Sequence, residues 1–127
     1  MAGTLTISTL SDGTNSTSST NCIQGSAKAW VNFNGTTASP STIRASYNVT
    51  SVTKNSTGDY SVNFTNAFSD ANYSMTSSSA ETAPTMSIAS PKLTAIPFTA
   101  SIASVQTRNT TSGSLLDCQF ICLSFFR

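Results

Sequence analysis

Histidine is absent from this chain. No imidazole is on hand as a general base, a triad member or a metal ligand. Charge is almost as scarce. Lys and Arg number six, Asp and Glu five, and together they make 9% of the residues, against about a quarter in an average globular protein. The cations Lys28, Arg44, Lys54, Lys92, Arg108 and Arg127 are scattered, so no basic stripe exists to neutralise phosphates, and nucleic acid is not an expected partner. No apolar run approaches the ~20 residues that cross a bilayer. The N-terminus has no basic segment followed by an apolar one, so no signal peptide is visible and synthesis in a cytoplasm is expected.

Three cysteines leave an odd count. Cys118 and Cys122 on one strand would stand ~13 Å apart, too far for a disulfide. Cys22 lies in a polar stretch, and its pairing with either of them stays open, although free buried thiols are expected without a secretion signal. A metal site needs about four ligands, and neither the thiols nor the isolated carboxylates offer such a set. No cofactor is expected. The chain has no Gly-x-Ser-x-Gly elbow and no phosphate-cradling glycine loop. Its carboxylates are Asp12, Asp59, Asp70, Glu81 and Asp117. A glycosidase needs two of them converging on one bond, but Asp12, Asp59 and Asp117 sit in turn-like contexts, where Asp serves its own backbone. The expectation is a protein that is not an enzyme. Seven Asn-x-Ser/Thr sequons, at Asn15, Asn34, Asn48, Asn55, Asn63, Asn72 and Asn109, follow from composition alone.

What the chain has in quantity is Ser, Thr and Asn, roughly two residues in five, well above average usage. Thr suits strands, while Ser and Asn suit turns. Apolar residues recur at every second position over Gly25 to Phe64. Ala27, Ala29, Val31 and Phe33 share one face of a strand, with Lys28, Trp30, Asn32 and Asn34 opposite. Ile43, Ala45, Tyr47 and Val49 repeat the pattern, as do Tyr60, Val62 and Phe64. Lys54 to Asp59 has the residues of a hairpin turn. Further strands are expected over Thr4 to Leu10, from near Ile23, from Tyr73 and Met75, around Met86 and Ile88, and from Phe98 through Ala100 and Ile102 to near Arg108. Ser11 to Asn21 and Ser77 to Pro84 are expected as loops, Gly35 to Ser41 and Asn109 to Ser114 as turns. Thr65 to Tyr73 reads as one helical turn or a plain connection. No long helix is expected. The fold class is therefore all-β, an antiparallel sandwich of jelly-roll type, with a polar arm over residues 1–22 and the sandwich over 23–127.

The last segment is apolar on both faces, with Cys118, Phe120, Cys122 and Phe126 on one and Ile121, Leu123 and Phe125 on the other. Such a strand wants cover on both sides. It is either a central core strand or an oligomer interface formed by Phe120, Ile121, Leu123 and Phe125. Trp30, the single tryptophan, falls on the face opposite Val31. It either packs under a loop or a neighbouring subunit, or stacks with Tyr47 or Tyr73 on a sugar ring.

The block Ile23-Gln24-Gly25-Ser26-Ala27-Lys28-Ala29-Trp30-Val31-Asn32-Phe33-Asn34-Gly35 resembles a motif of bacteriophage tail-fibre and related virion proteins, including those of marine phages and cyanophages. Ile43 to Val49, Thr57 to Phe64, Asp70 to Tyr73, Val105 to Asn109, Gly113 and Asp117 fit the same family in the same order, so the resemblance covers most of the chain from Ile23 onward. It implies a virion structural protein of the tail-fibre or receptor-binding class, attaching to the host surface; a host surface glycan is the ligand that the stacking reading of Trp30 would supply. The alternative is a capsid decoration or head-fibre protein on the major capsid lattice. The resemblance also implies a homotrimer, with the doubly apolar last strand around a threefold axis. The family's module typically ends a longer fibre. Here some twenty residues precede it, which implies a free-standing copy with the arm as its attachment segment to other virion proteins.

Overall fold

The central strands form where apolar side chains alternate, and the described strands all pair antiparallel. The computed structural model describes residues 3–81, 87–93 and 97–127. In chain order the elements are β1 (Thr9–Ser11), β2 (Ser16–Ser18), α1 (Ser19–Gly25), β3 (Ala29–Asn34), β4 (Thr42–Tyr47), β5 (Val49–Ser56), β6 (Asp59–Phe64), β7 (Ser74–Ala80), β8 (Ser87–Pro91), β9 (Ile102–Asn109) and β10 (Phe120–Phe126). The sandwich is built of two four-stranded sheets, in the orders β4-β3-β10-β7 and β5-β6-β9-β8, while β1 and β2 form a separate hairpin. The core lies between the four-stranded sheets. Ala29, Val31, Phe33, Ile121, Leu123 and Phe125 come from the first, and Val52, Tyr60, Val62, Ala103 and Val105 from the second. One end of the core is aromatic: Phe64 meets Phe68, Tyr73 and Phe125 edge-on, and Tyr73 stacks on Phe68 and Phe98.

The chain passes from the first sheet to the second at Asn48, which takes φ +55° between β4 and β5. Asn tolerates this left-handed conformation better than most residues. Its side chain then ties the corner together. Nδ2 donates to the carbonyls of Lys28 and Asn66, each at 3.1 Å, and Oδ1 accepts from the Asn66 amide at 2.8 Å. The β5–β6 turn needs Gly58 at φ +62°. On the opposite side of the sandwich, the edge strands β7 and β8 are joined by side chains. Ser77 Oγ donates to the Ala89 carbonyl at 2.7 Å, and the Ser79 and Ser87 hydroxyls meet at 3.1 Å.

Several sequence expectations change. Leu5 and Ile7 precede the first strand, which begins only at Thr9. Ser11 to Asn21 is not one loop, since it contains β2 and the start of α1. The stretch at Ile23 is helix, not strand, because Ser18 caps it by accepting from the Asn21 amide. Ser74 to Ala80 is strand, so Ser77 begins no loop; pairing with β10 along its whole length overrides the weak strand propensity of serine. Residues 82–84 of the expected loop, and Met86 of the strand expected with Ile88, lie outside the described residues. Phe98 and Ala100 do not belong to β9. The chain turns there, Phe98 bridges to Ala103, and the inward residues of β9 are Ala103, Val105 and Thr107, with Ile102 outward. On β4 an extra residue, Arg44, sits between the Asn32–Ala45 and Phe33–Ile43 pairs. A bulge of one residue reverses the phase of a strand, so Ala45 and Tyr47 face out rather than in.

Candidate functional site

The two outward sheet faces differ in chemistry. On the β5-β6-β9-β8 sheet, polar groups satisfy one another. Asn63 Nδ2 donates to Ser51 Oγ at 3.1 Å and Thr53 Oγ1 at 3.2 Å, Asn55 Nδ2 to Ser61 Oγ at 3.0 Å, and Arg108 to Gln106 Oε1 at 2.8 Å. Its exposed apolar residues, Ile88 and Ile102, stand at opposite ends of β9.

The β4-β3-β10-β7 sheet presents rings. Register places Tyr47, Trp30, Ser124 and Thr76 in one row across its outward face, and Ala45, Asn32, Cys122 and Ser78 in the next. Trp30 is 38% exposed, Tyr47 58% and Phe120 44%. The bulge aims Arg44 across β3. Its guanidinium donates to Asn32 Oδ1 at 3.1 Å and to the Gln119 carbonyl at 2.8 Å, and its central carbon lies 4.5 Å from the centre of the Phe120 ring. Arg44 is therefore held flat and charged on an otherwise uncharged face, a role that the alternation pattern did not reveal.

Trp30 is thus partly exposed with Tyr47 opposite it. Tyr73 does not join them. It is buried in the aromatic end of the core with its hydroxyl 3.1 Å from the Thr99 and Ile102 carbonyls, and burial pushes its phenol well above the ordinary value. Of the four residues expected at an oligomer interface, Ile121, Leu123 and Phe125 are buried by the chain's own second sheet, and Phe120 alone faces outward. Cys122 is on that outward face. Cys118 is buried, Cys22 is exposed on α1, and all three thiols are free. Cys22 is therefore not the buried thiol that was expected.

The carboxylates do different work from that expected of turns. Asp12 does cap its own turn, accepting from the Thr14 and Asn15 amides at 2.9 and 2.7 Å; the Asn15 and Thr14 amides hold it below the ordinary value. Asp59 instead pairs with Lys92 at 2.6 Å. Asp70 pairs with Arg127, and the Asn72 amide, more than Arg127, lowers its carboxyl. Asp117 binds three separate groups of the β5–β6 hairpin: Lys54 Nζ at 2.6 Å, the Gly58 amide at 2.8 Å and the Tyr60 hydroxyl at 2.8 Å. Partial burial would raise the Asp117 carboxyl, but the Lys54, Gly58 and Tyr60 hydrogen bonds together outweigh it and hold the group below its ordinary value. Burial first, and then Asp117 itself, push the Tyr60 phenol far up. Ser51-Val52-Thr53-Lys54 has the Ser-x-x-Lys spacing of some acyl-transfer enzymes, but on a strand an interval of three places the two side chains on opposite faces.

Among the described residues, no three His, Cys, Asp or Glu side chains group together as a metal site would require. No helix among them is long and apolar enough to cross a membrane. Comparison with protein-family models, with curated proteins and with solved structures finds no match.

Proposed function

We propose that this protein is a virion structural component of the tail-fibre or receptor-binding class, and that it contacts the host surface through the outward face of the β4-β3-β10-β7 sheet. The observation that carries the reading is the side-by-side exposure of Trp30 and Tyr47 on a face that also carries Asn32, Ser124 and Thr76. Aromatic faces take the C–H surface of a pyranose, and amides and hydroxyls at the rim take its hydroxyls. The ligand class that fits is a glycan. The resemblance of Ile23 to Gly35 and the later blocks to phage fibre proteins supports the same reading, with adhesion rather than catalysis as the task.

Mass spectrometry of purified virions separated into heads and tails tests where the protein works. Enrichment with tails is the expected result. Enrichment with heads supports the decoration of a capsid lattice instead, and absence from both removes the virion reading.

A further inference from the structure

The arm formed by residues 3–28 contributes nothing to the sandwich core, whose buried residues begin at Ala29. It nevertheless has its own shape. β1 and β2 pair through Thr9–Ser18 and Ser11–Ser16, and the Ser19 amide donates to the Ser8 carbonyl at 2.9 Å, which lays α1 against the hairpin. Strands of three residues and a helix of seven are too short to be stable without packing. No residue of α1 is buried. Leu5 is 80% exposed, Leu10 53% and Ile23 64%. Between them runs a groove of about 390 Å³ lined by Leu5, Ile7, Leu10, Cys22 and Ile23, with Thr6 and Ser19 at its margin.

We propose that this groove is covered by the same arm of a second copy of the chain, the two arms lying antiparallel. Two features of the arm select that occupant. It carries both the apolar groove and the projecting Leu and Ile side chains that would fill it, so it is complementary to itself. Its charges have the same property: residues 3–28 contain one anion, Asp12 at the hairpin turn, and one cation, Lys28 at the base. Antiparallel apposition brings each Asp12 to the other arm's Lys28, whereas parallel arms would set like charges together. A twofold, isologous contact follows. It differs from the threefold assembly that the family resemblance implies, and it stands independently of the glycan reading.

Light scattering on the full chain at micromolar concentration tests this. The expected mass is twice the 13.2 kDa of one chain. Leu10→Asp combined with Ile23→Asp should return it to the mass of one chain with the thermal unfolding of the sandwich unchanged, because neither residue touches the core. The Lys28 ammonium also binds the Ser26 carbonyl and hydroxyl of its own arm at 3.1 and 2.8 Å, so the charge pair is tested by a swap: Lys28→Glu should weaken the dimer at least tenfold, and Asp12→Lys added to it should restore the dimer. A single-chain mass for the wild type, which would leave the groove to a different virion protein, overturns the proposal. So does a three-chain mass, or a Leu10→Asp/Ile23→Asp variant that keeps the wild-type mass.

Discussion

The Tyr60 hydroxyl and the Asp117 carboxylate meet at 2.8 Å although 57 positions separate them in the chain. The contact joins β6, in the middle of one sheet, to the segment that carries the chain from β9 across to β10 in the other. The Gly35 carbonyl lies 3.0 Å from the same hydroxyl. Gly35 leaves the room for this, since a Cβ there would lie 2.7 Å from Ile121 Cδ1 and 2.8 Å from the Cys118 carbonyl. Tyr60→Phe removes the one proton that a buried carbonyl and a carboxylate share, so it should cost about 1–3 kcal/mol. Urea unfolding of wild type and variant measures the loss.

Acid should weaken the same staple. Asp117 titrates lower in the folded chain than in the unfolded one, so its stabilisation is fully present above about pH 4, the ordinary carboxylate value, and is lost as pH falls through the folded value. Asp12 and Asp70 are lowered as well, so the wild-type slope is not that of Asp117 alone. The difference between wild type and Asp117→Asn isolates it. That difference should be large at pH 7 and shrink steadily below pH 4 in denaturant melts.

At the corner between the sheets, Asn48 combines a left-handed backbone with hydrogen bonds to Lys28 and Asn66. Asn48→Ala forfeits both and should destabilise by about 1–3 kcal/mol. Asn48→Gly relieves the backbone but not the lost hydrogen bonds, and its melting temperature should fall between the other two.

Neighbouring residues on β10 should respond in opposite ways. Ile121 is fully buried, so Ile121→Ala should cost about 2–5 kcal/mol. Phe120 faces outward against Arg44, so Phe120→Ala should cost under about 1 kcal/mol. Thermal unfolding of the two variants distinguishes them directly.

Much of the sandwich was legible because its central strands alternate cleanly. Ala29, Val31 and Phe33, and Tyr60, Val62 and Phe64, point inward as their spacing requires. Legibility failed where one residue shifted the phase, as the Arg44 bulge does for Ala45 and Tyr47. It failed again at Ser77, Ser78 and Ser79, where pairing with β10 rather than apolar content makes the strand. The double apolar face of the last strand was visible, but only packing could show that Ile121, Leu123 and Phe125 are covered from within. For the candidate site, the opposite placement of Trp30 and Val31 was readable. The exposure of Trp30 was not, because nothing local determines whether a loop returns over a sheet. The partners of Asp117 were invisible, since Lys54 lies 63 positions away.

The account stands or falls on Trp30 and Tyr47. Binding of the full chain to isolated host-surface polysaccharide, measured by biolayer interferometry beside a Trp30→Ala/Tyr47→Ala variant, tests it most directly. The account predicts saturable wild-type binding and a loss of at least about tenfold in the variant, with both proteins folded at the temperature of the assay. Equal binding by the two, or no binding by the wild type, would contradict it.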